Sequence, residues 1–116
     1  MNPMRNPNVL LLLCFVSSFV FSVESSFVQQ QAFLDRVKHA EIPQISEEMA
    51  QSMRDCQTTY DKQKVDGDII LCVYRQQKTF IQSEAMVLGV DVSDKFYDDY
   101  VTALANETNT MILKEK

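Results

Sequence analysis

At 116 residues with a formal charge of −5, the chain has room for one domain and carries no basic cluster suited to nucleic acid or an anionic membrane. Its two glycines exclude a glycine-rich phosphate loop, and no serine, threonine or cysteine sits in a nucleophile motif. Those exclusions point away from an enzyme and from a cofactor.

The N-terminus reads as a secretory signal peptide over residues 1–22. Arg5 supplies the positive start, Val9 to Phe21 an apolar run broken only by Ser17 and Ser18, and Val20 and Ser22 the cleavage pattern. The apolar run is shorter than the ~20 residues that a spanning helix needs, so no membrane span is expected in the mature chain. Cleavage after Ser22 removes Arg5 and no acid, taking the charge from −5 to −6, and it removes Cys14. The mature chain, 23–116, is then expected to be secreted, extracellular and a single helical domain.

Pro43, Gly67 and Gly89 divide that chain into four pieces, each with helical periodicity. The first runs from Ser25 to Glu41. Ser25 or Ser26 caps it, Phe27, Leu34 and Val37 form its apolar side, Phe33 and Ala40 widen the stripe, and Pro43 ends the segment. The second starts with Ser46 as N-cap, Glu47 and Glu48 in the first turn, and Ile45 stapled to Ala50. Met49, Met53, Cys56 and Tyr60 then make a narrow apolar seam.

For the third piece, Asp68 caps a helix that begins at Ile69 and that Gly89 ends as a C′ residue, with Ile69, Cys72, Val73, Phe80 and Val87 on a common side. The run Ile69 to Tyr74 is also rich in strand formers, and Asp66-Gly67 is a hairpin-turn signal, so strand stays open for 69–74. Helix is the preferred reading because residues 61–64 have no matching strand character. The fourth piece begins near Asp91 or Ser93. Phe96, Tyr100, Leu104, Thr108 and Met111 form its stripe, with Tyr97, Val101 and Ile112 beside them. Asp94, Asp98 and Asp99 at its start and Lys114 and Lys116 at its end suit the helix dipole. The fold class is therefore all-α, a small antiparallel bundle of about four helices.

Cys56 and Cys72 remain after cleavage, near the end of one helix and one turn into the next. An antiparallel hairpin brings them level, and a disulfide closing that loop contributes about 3 kcal/mol. A metal or redox role is disfavoured, since there is no Cys-x-x-Cys and His39, the only histidine, is not spaced as a ligand. His39 sits near a helix C-terminus, where its charge suits the dipole. Asp61, Asp66 and Asp68 resemble a calcium loop only superficially, because Asp66 and Cys72 stand where that loop needs glycine and glutamate. No metal site is expected there or at Asp94, Asp98 and Asp99.

Asn106-Glu107-Thr108 is a glycosylation sequon, and helical geometry turns Asn106 about 200° from Leu104. Met49, Met53, Phe80, Met86, Phe96, Tyr100 and Leu104 are the candidate surface for an apolar ligand or partner, although such stripes usually fill a core. Asp66 to Cys72 is similar to the stretch before the second cysteine of insect odorant-binding proteins, which are secreted, acidic, helical carriers. The likeness covers residues 66–72, and Gln76 stands where that family has its next cysteine.

These readings lead to a secreted non-enzymatic helical protein that binds another extracellular protein, with a small carrier of apolar ligands as the alternative. A hormone or toxin released by proteolysis is disfavoured, because the chain has no paired basic residues. A carrier requires a closed apolar cavity, whereas a binding module exposes a patch of several hundred Å².

Overall fold

The structure, a computed structural model, describes residues 26–60 and 64–115. The expected signal peptide with Cys14, the expected Ser25 cap, Asp61, Lys62, Lys116 and the Tyr60 side chain lie outside the described residues. Five helices and no strand are found among those described: α1 (26–38), α2 (Pro43–Tyr60), α3 (Gly67–Gln76), α4 (Lys78–Val87) and α5 (Asp94–Glu115). The all-α class holds, and Ile69 to Tyr74 is helical. Asp66 decides that point. Its carboxylate accepts from the Asp68 and Ile69 amides at 3.0 and 3.2 Å, so Asp66-Gly67 opens a helix instead of a hairpin.

Several helix boundaries differ from expectation, each for a physical reason. Pro43 starts α2 rather than closing α1, because the first helical position needs no amide donor. Ser46 is consequently inside the helix, its amide bonded to the Ile42 carbonyl at 2.9 Å. Ile45 is a buried core residue and Ala50 is exposed, so the two form no staple. At the start of α3, Asp66 takes the capping role expected of Asp68.

A further difference is that the third piece bends at Gln77 into α3 and α4, giving five helices in place of about four. Backbone bonds from Gln77 to Val73 and from Ile81 to Gln77 carry the helical path through the bend. The Gln77 side-chain Nε2 donates to the hydroxyl of buried Ser52 at 2.6 Å, fixing the bend to α2.

Helices α1 and α4 end in the same turn. In α4, Gly89 at φ 83° follows the last helical residues, its amide bonds to the Met86 carbonyl, and the Val90 amide to that of Ala85. This is the expected C′ role of Gly89. In α1 the equivalent residue is Ala40 at φ 59°, with the Ala40 amide on Val37 and the Glu41 amide on Arg36. That turn closes α1 at residue 38, short of the expected Glu41.

Two apolar clusters hold the helices together. Phe33, Leu34, Ile45, Ile81, Tyr97 and Val101 anchor the larger, with Phe80 half-buried against it. Full burial of each aliphatic member contributes about 1.5–3 kcal/mol. Cys56, Ile69 and Val73 form the smaller, flanked by Met49 and Met53. Cys56 and Cys72 are disulfide-bonded there, with Cα atoms 6.0 Å apart, as the hairpin reading expects. Helices α2 and α3 run antiparallel, and α3 and α4 run antiparallel to α5. Helix α1 does not follow the antiparallel pattern. Its contacts pair Phe27 with Phe96, Asp35 with Tyr100 and Lys38 with Glu107, so it lies alongside α5 in the same direction.

The stripe of α5 is also rotated from expectation. Tyr97, Val101 and Ala105 are the buried positions, Phe96, Tyr100 and Leu104 only partly so, and Met111 is exposed. Val87, expected inward, is exposed at the end of α4.

The backbone turns yield an ordered stability series in urea unfolding. Gly89→Ala has open space around the added carbon, so its cost is conformational, about 1–2 kcal/mol. Gly67→Ala is expected to cost about 1–3 kcal/mol, because a Cβ there would lie 2.8 Å from the Ala105 carbonyl oxygen of α5. Ala40→Gly should stabilise by up to about 1 kcal/mol by relieving the left-handed alanine. A destabilising Ala40→Gly, or a neutral Gly67→Ala, would contradict these assignments.

Candidate functional site

The parallel docking of α1 on α5 leaves an open groove of about 400 Å³ between them. Ser93 positions its α5 wall: the hydroxyl accepts from the Phe96 amide at 3.2 Å, capping the helix as the sequence suggests. The Ser93 amide in turn donates to the Gln30 side-chain carbonyl of α1 at 3.0 Å. Gln82 donates to the Val92 carbonyl and the Asp94 carboxylate at 3.1 and 2.7 Å, and Lys78 lies 3.1 Å from Asp98. These bonds tie the start of α5 to α4. The Gln82 hydrogen bond, followed by the charge of Lys78, holds the Asp94 carboxyl below the usual carboxylate range.

One end of the groove is aromatic. The rings of Phe27 and Phe96 meet edge to face with centroids 5.0 Å apart, yet Phe27 remains 64% exposed. At its centre the Tyr100 hydroxyl donates to Asp35 Oδ1 at 2.5 Å, and Gln31 donates to the same oxygen at 3.2 Å. At the far end Lys38 and Glu107 form an ion pair at 3.6 Å. Ala103 and Leu104 supply apolar wall between these groups.

The charges around the groove largely cancel. Glu107 is matched by Lys38, and Asp99 by Lys95 at 2.7 Å. Asp35 is the lining carboxylate with no basic partner among the described residues, and its two hydrogen bonds both fall on Oδ1. Burial, then the bond to Asp35 and its charge, push the Tyr100 hydroxyl well above its ordinary value.

Of the candidate surface residues, Phe96, Tyr100 and Leu104 come together in the groove. Met49 and Met53 instead pack beside the disulfide, Phe80 lies against the main core, and Met86 is 66% exposed at the end of α4. The polar part of the α1 wall was not legible as a site. Gln31 reads as an exposed shoulder, while Asp35 and Lys38 carry no motif. Asn106 is exposed on α5, as the helical turn from Leu104 requires. Among the described residues, no helix is long and apolar enough to cross a membrane. Comparison with protein-family models, curated proteins and solved structures gives no match for this chain.

The tyrosines give this region a distinctive titration. Burial pushes the Tyr74 hydroxyl up to about 12, and burial also raises Tyr97 strongly. Raised folded values mean that stability from Tyr74, Tyr97 and Tyr100 is fully present below about pH 10 and lost as pH rises above it. Absorbance titration of the folded protein should therefore show these three tyrosines un-ionised at pH 10, with stability declining toward pH 12. Ionisation of all of them near pH 10 with the fold intact would contradict the packing.

Proposed function

We propose that the chain is a secreted, non-enzymatic helical protein that acts by binding another protein outside the cell through its α1–α5 face. The open groove carries this reading. It presents partly exposed aromatic and apolar wall on two helices, and exposed Phe27 lies at its α1 end. The apolar run 9–21 and the cleavage pattern at Ser22 support secretion as a mature chain from residue 23. A disulfide between Cys56 and Cys72 suits that compartment. The exposed sequon at Asn106 supports a glycoprotein.

A carrier of small apolar ligands is the second reading, favoured by the volume of the groove, about 400 Å³, which lies in the range of small-ligand sites. Its openness and charged lining favour the protein partner. The absence of nucleophile motifs supports a non-enzymatic role.

Site-specific photocrosslinking on intact cells and extracellular fluid tests the proposal. A benzophenone side chain in place of Ala103, in the groove, should capture an extracellular protein that the same group in place of exposed Thr79, on α4, does not. Equal capture from both positions, or none from residue 103, would overturn it. A small molecule retained in the native mass spectrum of the secreted protein would move the assignment to the carrier.

A further inference from the structure

We infer that the groove recognises a lysine or arginine side chain of the partner, presented next to an apolar side chain. This inference rests on the protein-binding reading and deepens it by assigning the chemistry of the partner. Two of the three carboxylates lining the groove are neutralised within the chain, Glu107 by Lys38 and Asp99 by Lys95. The remaining one, Asp35, stands at the centre of the groove without a cation and with Oδ2 free of hydrogen bonds among the described residues. A carboxylate in that condition favours a positively charged donor.

Rigidity supports the same conclusion. The Tyr100 hydroxyl and the Gln31 amide both hold Oδ1, so the carboxylate is oriented before any partner arrives. A preorganised acceptor reduces the entropy cost of recognition. The Tyr100 hydroxyl remains a donor across the neutral range because its ionisation is disfavoured.

The neighbouring surface specifies what accompanies the cation. Phe27 lies eight residues before Asp35 on α1, about 12 Å along the helix, and Phe96 one turn, about 6 Å, before Tyr100 on α5. An apolar side chain can cover the exposed Phe27 ring and the partly exposed Phe96 ring, while the aliphatic stem of a lysine or arginine lies on Tyr100 and Leu104. An acidic segment would instead meet uncompensated Asp35 and is disfavoured. The occupant is therefore a basic, amphipathic segment of a protein.

Three blocked dipeptides test this on the isotope-labelled, disulfide-bonded chain: N-acetyl-Phe-Lys-amide, its norleucine analogue and its glutamate analogue. At millimolar concentration the lysine form should shift amide resonances of Asp35, Tyr100 and Ala103. It should bind about fivefold or more tighter than the norleucine form, with the glutamate form weakest. Asp35→Asn keeps an acceptor for Tyr100 and should abolish the preference for lysine, with an otherwise unchanged spectrum. Equal binding of the lysine and norleucine forms, tighter binding of the glutamate form, shifts confined to another surface, or no binding by any of the three would overturn the inference. Loss of the lysine preference with intact crosslinking from residue 103 would remove the basic-group assignment alone. Loss of crosslinking would remove the protein-binding reading itself.

Discussion

The close approach of α3 to α5 at Gly67 is the contact on which the rest of the arrangement depends. The Gly67 amide donates to Asn109 Oδ1 at 2.9 Å, and the missing side chain leaves room for the Ala105 carbonyl. Two turns further along α3, the Tyr97 hydroxyl donates to the Tyr74 carbonyl from within the core. Between these fixed points the two helices have little freedom to slide. The disulfide then holds α2 against α3, and Gln77 on Ser52 sets the bend from which α4 departs. Lys78 and Gln82 return that path to the start of α5. Helix α5 is thus the element against which the others are placed.

Packing on two sides of α5 produces the groove. Tyr97, Val101 and Ala105 serve the core shared with α3 and α4, leaving Phe96, Tyr100 and Leu104 on the adjacent flank. Helix α1 covers that flank only in part, because Phe33, Leu34 and Val37 enter the core while Phe27 and Asp35 remain along its edge. The result is a surface with a rigid floor and, at its centre, a hydrogen-bonded carboxylate with no cationic partner among the described residues. Rigid elements with an open, partly apolar face are suited to recognition, and specificity then comes from the few oriented polar groups.

Much of this was legible locally. Ser93 as a cap, Gly89 as a left-handed terminator and the pairing of Cys56 with Cys72 each follow from residue chemistry and short spacing. The differences arise where one residue has two local meanings or where a distant partner decides. Pro43 can end one helix or begin another, and the left-handed turn at Ala40 leaves it the second role. The bend at Gln77 depends on Ser52, 25 residues away. A single-stripe reading of α5 fails because that helix is packed on two flanks. Asp35 carries no motif, and its place in the site is fixed by Tyr100, 65 residues further along the chain. Periodicity identifies which helices exist better than it identifies which flank of a doubly packed helix faces inward.

Helix α1 lies parallel to α5 and closes one side of the groove. A side-chain nuclear Overhauser measurement on the disulfide-bonded protein tests that arrangement directly. Cross-peaks between the Phe27 and Phe96 rings are expected, given centroids 5.0 Å apart, together with contacts from Tyr100 to the Asp35 turn. Cross-peaks from Phe27 confined to its own helix, with none from Tyr100 to α1, would rule out the parallel docking of α1 on α5.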